Sequence, residues 1–308
     1  MKTSNGLRFM LLMSCIILCL NTACSSRAAA VGSTEPVESY ATIHGTLDHP
    51  VRATWVWDTT QIQSNAQDVL KFAAANNVNT IYLQMNRDVK IPEYQNFIRL
   101  ARAQNIAVDI MDGRAAWGLT ESREQIASFM DWIEDYQKQS FANEKFAGIH
   151  LDIEPHVHPL WKTNQASVIT QWQGNVDYIV ERAARMKMPV AADLPFWLDN
   201  YKIPGTTTPV SSWMIRKFDS ITIMAYRDTA TAIYNVAKDE LIDAASVGKK
   251  ISIAVETKQS KEGEFITFYE EGDAYMEAQL KLLEKMASVH DSFNGFSIHE
   301  YSSWKTLR

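Results

Sequence analysis

The chain has 308 residues, 46% of them hydrophobic and 21% charged, which is a globular composition with enough apolar material for a large core. The formal net charge of −6 comes without a basic stripe, which argues against nucleic acid as a partner and leaves neutral or cationic ligands open. Aromatic content is high, with nine Trp and eleven Tyr, and supplies candidate stacking platforms for flat apolar ligand faces such as those of sugar rings.

The first 24 residues read as an export signal. Lys2 and Arg8 precede the apolar run from Phe9 to Leu20, which is too short and wrongly flanked for a spanning helix. The run ends Asn21-Thr22-Ala23-Cys24-Ser25-Ser26. Ala23-Cys24 resembles a bacterial lipobox, with Asn21 where the leucine usually stands and Leu20 one place earlier. Cys24 is then the expected lipidation site, and the expected location is a membrane-anchored lipoprotein of a bacterial envelope. Simple cleavage and secretion is the alternative. The remaining cysteines, Cys15 and Cys19, also lie in this segment, so the mature body is expected to stand outside the cytoplasm without disulfides. Residues 25–48 are small and polar and read as a flexible tether. Residues 49–308 are expected to form the folded domain.

From Arg52 onward, strand-like and helix-like segments alternate. Strands are expected at 52–58, 80–85, 106–111, a fourth ending near Glu154, 189–194, 220–226, 250–256 and 295–299. Amphipathic helices are expected at about 61–77, 92–104, 122–136, 166–186, 212–217, 231–246 and 273–289, and the chain stops a turn or two after the last strand. Eight such strands over about 260 residues predict a single (β/α)8 barrel with a truncated last helix. An open doubly wound sheet would carry a Gly-rich phosphate loop after an early strand, and no such loop occurs. Closure between the first and last strands is the part of the expectation with least support.

The fourth strand carries the chemistry. In Ile149-His150-Leu151-Asp152-Ile153-Glu154, aliphatics alternate with an imidazole and two carboxylates, so the polar groups share one face. Pro155 cannot donate to a ladder and places Glu154 at the strand's carboxyl end, where barrel active sites lie. The other strand ends add Trp57 and Asp58, Gln84 and Asn86, Asp112 with Arg114, Asp193 with Trp197, Tyr226 with Arg227 and Asp228, Glu256, and His299 with Glu300 and Tyr301. Asp58 and Asp112 could cap helices, and the arginines could pair with acids at the rim. A metal centre built on His150, His156 and His158 competes weakly, because no HExxH or cysteine set is present, and no cofactor is expected. A serine hydrolase lacks its GxSxG elbow. Paired carboxylates in an aromatic-rimmed mouth point to glycosidic bonds, where a protonated Glu donates to the leaving oxygen.

The stretch Ala147-Gly148-Ile149-His150-Leu151-Asp152-Ile153-Glu154 resembles the fourth-strand signature of chitinase-like glycoside hydrolases of family 18, Asp-Gly-x-Asp-x-Asp-x-Glu. Gly148, Asp152 and Glu154 match, while Ala147 and His150 stand where the family has acids. Met224-Ala225-Tyr226 is similar to that family's Met-x-Tyr, with Arg227 where an acid often follows. His299 and Tyr301 occupy the region where the family commonly places a Trp floor, with Trp304 beyond. The resemblance implies a catalytic acid at Glu154, with Asp152 and Tyr226 orienting a substrate 2-acetamido group that acts as nucleophile. The substrate it implies is an oligo- or polysaccharide of the envelope or the environment. Trp57, Asp58, Gln84, Asp112, Asp193, Trp197, His299 and Tyr301 are then candidate sugar contacts. A second scheme takes Glu154 as acid/base and Glu256 as nucleophile, similar to the large clan of retaining barrel glycosidases, although Ile153 replaces the usual Asn. A carbohydrate-binding barrel without turnover is the non-enzymatic alternative.

Overall fold

The computed structural model describes residues 50–308. The export segment, Cys24 and the tether lie outside the described residues. Within them, eight parallel strands close into a barrel in sequence order: β1 (Val51–Val56), β2 (Thr80–Gln84), β3 (Ala107–Asp112), β4 (Ile149–Leu151), β5 (Val190–Pro195), β6 (Ser220–Met224), β7 (Lys250–Glu256) and β8 (Phe293–His299). The intervening helices cover the outside, as a (β/α)8 barrel requires. The segment expected as one helix over 61–77 is broken at Asn65 into Gln61–Ser64 and Ala66–Ala75.

The period of two divides each strand between two cores. Ile81, Leu83, Ile110, Ile149, Leu151, Ile221, Ile223, Ile251 and Ile253 face the helices and belong to the large outer core. Val51, Ala53, Trp55, Tyr82, Met111 and Ala254 fill the barrel, with Trp57 and Tyr226 packed on top. Polar side chains inside the barrel are satisfied by one another. Tyr82 Oη lies 3.4 Å from Ser297 Oγ, Ser297 Oγ 3.2 Å from Ser252 Oγ, and Ser252 Oγ 2.9 Å from Thr222 Oγ1. A hydroxyl chain of this kind avoids the cost of burying unpaired polar groups.

Closure runs from Val51↔Gly295 to Thr54↔Ile298. Gly295 has φ +100°, and a Cβ there would sit 2.0 Å from the Val51 carbonyl oxygen. Only glycine allows β8 to pass this close to β1. The final helix is a single turn, Tyr301–Trp304. It completes the outer wall by packing Tyr301 and Trp304 edge-on against Phe72, at 5.3 and 5.1 Å between ring centroids, and by donating from Trp304 Nε1 to Asp273 Oδ1 at 2.9 Å.

One outer-wall acid is far from its ordinary state. Glu240, on the helix Ala230–Ser246, is 3% exposed, and burial raises its pKa to about 8, with the charges of Asp199, Asp239 and Asp243 acting in the same direction. The folded chain therefore holds a proton between about pH 4.5 and 8 that the unfolded chain releases. That contribution is complete below the unfolded pKa and is lost as pH rises through the folded one. Glu240→Gln is expected to gain melting temperature over wild type on moving from pH 5 to pH 8.5, by roughly 4 °C or more. A gap between the two melting temperatures that does not widen with pH would count against this account.

Candidate active site

β4 ends at Leu151, earlier than expected, and Asp152 to Glu154 continue beyond it into a 3-10 turn at Pro155–Val157. The alternation survives the loss of the ladder: Ile153 is buried in the outer core, while Asp152 and Glu154 turn inward. A close backbone approach holds this segment. Asp152 N donates to Asp112 O at 3.2 Å, and Gly113 packs against the Asp152 backbone with no room for a Cβ.

His150 forms the floor. It is fully buried, stacks on Tyr82 with 3.7 Å between ring centroids, and places Nε2 2.8 Å from Asp193 Oδ1. Trp55 Nε1 donates to Asp193 Oδ2 at 3.1 Å. Asp193 is thus a buried carboxyl held from two sides, and it acts on the groups above it through its charge.

Those groups are Asp152 and Glu154. Burial raises the Asp152 pKa well above the carboxylate range, and the charges of Asp193 and Glu154 raise it further. Its Oδ1 is buried without a hydrogen-bond partner among the described residues. A buried oxygen left unpaired costs free energy, unless a ligand pairs with it. Glu154 is also raised, by burial and then by Asp193, with His299 opposing. His156 Nε2 lies 3.7 Å from Glu154 Oε1, and burial lowers the His156 pKa, which disfavours a cation beside Glu154. Tyr226 follows β6 and completes the cluster. Burial raises its pKa well above the ordinary value, as do the charges of Glu256, Asp193, Asp152 and Glu154. The phenol is therefore a neutral donor among acids.

Glu256 is arranged differently. Its Oε1 accepts from the backbone of Thr257 at 2.8 Å and of Lys258 at 2.7 Å, and its Oε2 lies 2.9 Å from His299 Nδ1. Trp57 Nε1 can only donate, and it does so to His299 Nε2 at 3.0 Å. The imidazole proton consequently sits on Nδ1 and faces Glu256. Both oxygens of Glu256 are occupied, Oε1 by two backbone N–H groups and Oε2 by His299, whose other nitrogen accepts from Trp57.

The cleft beside Glu154 has a volume of about 430 Å³ and is walled by His156, Trp197, Tyr226, Arg227 and Phe265. Trp197 packs edge-on against His156 at 4.7 Å between centroids. A second cleft of about 520 Å³, lined by Asp112, Arg114 and Trp117, opens near the ends of β2 and β3.

The remaining expected contacts divide. Trp57 lies in the mouth beside Tyr226. Gln84 Nε2 donates to Asp112 Oδ1 at 3.1 Å, and Gly113 N donates to the same oxygen at 2.8 Å, so this pair ties two strand ends together at the edge of the second cleft. Asp58 is exposed and closes the turn before Gln61–Ser64, accepting from Thr60 N at 3.1 Å and from Gln61 Nε2 at 3.0 Å. Tyr301 does not join the mouth. It is 3% exposed and packs outward on Phe72, because the turn after β8 carries it into the outer wall. Sequence reasoning missed Trp55 as the partner of Asp193, although its period-two spacing from Trp57 places both indoles on one face. It also missed Phe196 and Phe265, which belong to loops with no periodic signal.

The fold is a (β/α)8 barrel that gathers Asp152, Glu154 and Tyr226 at one mouth. No protein-family model matches the chain, and no curated protein does. Solved structures do resemble it. The GH18 chitinase ChiB of Flavobacterium johnsoniae is 16% identical with a TM-score of 0.51, over 82% of this chain and 88% of that one. A chitinase of Chromobacterium violaceum is 11% identical with a TM-score of 0.54, over 83% and 98%. A class V chitinase of Pseudomonas fluorescens is 14% identical with a TM-score of 0.53, over 83% and 99%. At these identities the likeness is one of fold.

Proposed function

We propose that the chain is a glycoside hydrolase that cleaves polysaccharide containing 2-acetamido sugars. The observation that carries this reading is a cluster of three groups whose pKa values are all raised by burial and by neighbouring acids. Glu154 is an acid whose pKa burial and Asp193 raise, Asp152 carries a buried oxygen with no partner among the described residues, and Tyr226 supplies a neutral hydroxyl. The chitinases among its structural neighbours support it.

In this scheme Glu154 protonates the glycosidic oxygen as the bond to the anomeric carbon breaks. The substrate's own acetamido oxygen attacks that carbon from the opposite face. Asp152 Oδ1 accepts the acetamido N–H, and Tyr226 donates to the carbonyl oxygen, which fixes the attacking geometry. Glu154, now ionised, takes a proton from the water that opens the cyclic intermediate, so the configuration is retained. Wild type should release reducing ends from N-acetylated oligosaccharides and not from their de-N-acetylated counterparts. Equal cleavage of both would remove the acetamido group from the mechanism. Binding without cleavage of any glycan would leave a carbohydrate-binding barrel. A double displacement through Glu256 is disfavoured by the capture of both its oxygens.

The reading extends to an exported protein anchored by lipid on Cys24, acting at the envelope. It rests on the Lys2/Arg8 start, the apolar run and Ala23-Cys24. Metabolic labelling with a palmitate analogue should tag wild type and spare Cys24→Ser. Labelling of both to the same degree would refute it.

A further inference from the structure

We infer that the cleft receives a sugar bearing a carboxylate, and that Arg227 is the residue that binds it. The inference rests on the glycan reading above and names the class of sugar. Arg227 lies in the same cleft as Glu154 and Tyr226. Two loops hold its guanidinium by aromatic faces: Cζ sits 4.8 Å from the Phe196 ring centroid after β5 and 5.5 Å from that of Phe265 after β7. Nη1 donates to the carbonyl oxygen of Tyr226 at 2.7 Å. A guanidinium has five N–H donors, and among the described residues this is the one hydrogen bond that Arg227 makes. No carboxylate among the described residues lies within 4.0 Å of it, whereas Arg182 and Arg216 each grip an acid.

A partly buried cation without a counter-ion, beside a catalytic acid, is costly to keep for packing alone. Clamped between aromatic faces, it loses little further freedom when it forms a two-pronged bond to a planar anion. The charge of that anion follows from the neighbours. Glu262 also lines the cleft, and Glu154 must stay protonated, so a dianionic phosphate would meet repulsion that a single carboxylate largely avoids. A neutral chitin-like chain would leave the guanidinium unused.

The test is a titration in the Glu154→Gln background, so that no ligand is consumed. The probes are oligosaccharides that alternate N-acetylglucosamine with glucuronic acid or with N-acetylmuramic acid, and the same compounds with each carboxyl reduced to an alcohol. At least one acidic form should bind ~10-fold or more tighter than its reduced counterpart, the scale of a charge-assisted pair. Adding Arg227→Gln should bring the two forms within about twofold of each other, and Arg227→Lys should restore part of the gap. Equal binding of acidic and reduced forms by the parent, tighter binding of a sulfated counterpart, or a preference that survives Arg227→Gln would overturn the assignment. Should reduced forms bind and the acidic ones gain nothing, the carboxylate assignment alone fails. Should no glycan bind at all, the glycan reading of the site fails with it.

Discussion

Glu154→Gln is expected to lower turnover at least ~100-fold while the fold and glycan binding persist, because the amide keeps the shape of the acid and cannot give up a proton. The size of the effect follows from the role: a general acid contributes only as the bond breaks, so its loss appears in kcat. The pH dependence carries the same signature. A free Glu titrates near 4.3, which would leave little acid form in a neutral medium. Burial and the charge of Asp193 raise Glu154, so the acid form survives to higher pH, and activity is expected to fall as pH rises through that raised value. Asp193→Asn removes the charge that contributes most after burial. It should move the alkaline limb of the pH–rate profile to lower pH, with the buried His150 and Trp55 contacts checked by melting temperature. Asp152→Asn should lose rate as well, because the donor amide and the acceptor oxygen of Asn can exchange places and Oδ1 is no longer assured to the acetamido N–H. Glu256→Gln should cost little by comparison. A loss at Glu256 as large as at Glu154 would restore the double-displacement scheme, and an undiminished kcat in Glu154→Gln would end the acid assignment.

Gly113→Ala is expected to destabilise the protein by ~3 kcal/mol or more and to reduce turnover with it. The added methyl would lie 1.8 Å from the Asp152 carbonyl oxygen, 2.2 Å from its carbonyl carbon and 2.7 Å from its Cα. These are backbone atoms, and no rotamer change relieves them. The chain can respond only by parting the ends of β3 and β4, which breaks the 3.2 Å hydrogen bond from Asp152 N to Asp112 O and carries Asp152 away from Tyr226. Gly174→Ala is the matched control. It lies inside the helix Gln165–Met186, and its nearest new neighbour would be Arg123 Nη2 at 3.7 Å, so helix propensity favours the alanine by up to about 1 kcal/mol. Urea midpoints and kcat for both variants test the pair. A wild-type midpoint for Gly113→Ala would show that β3 and β4 are not locked at this point.

The barrel was legible because its strands are short apolar runs separated by amphipathic helices, a pattern that local periodicity alone produces. The inward set of the fourth strand was legible for the same reason. A strand's period of two puts His150, Asp152 and Glu154 on one face wherever the ladder happens to end. That rule also held past Leu151, where hydrogen bonding to the neighbouring strands stops. Closure was decided by a contact that no local pattern announces, the passage of Gly295 beneath the Val51 carbonyl.

The roles of the other strand-end residues were decided by partners distant in the chain. Glu256 and His299 are 43 residues apart, and only the closed barrel brings the Glu256 carboxyl to the His299 imidazole. Tyr301 and His299 are two positions apart, yet the turn after β8 sends one into the outer wall and leaves the other in the mouth. Arg227 read as a departure from an acidic pattern, and its clamp between Phe196 and Phe265 joins loops after β5 and β7 that carry no periodicity of their own. Which residues stand at the strand ends follows from the chain alone, because side-chain direction in a strand is a local property. Which of them are free to meet a ligand follows from the closed barrel, because hydrogen-bond capacity is consumed by whichever partner the fold brings within reach.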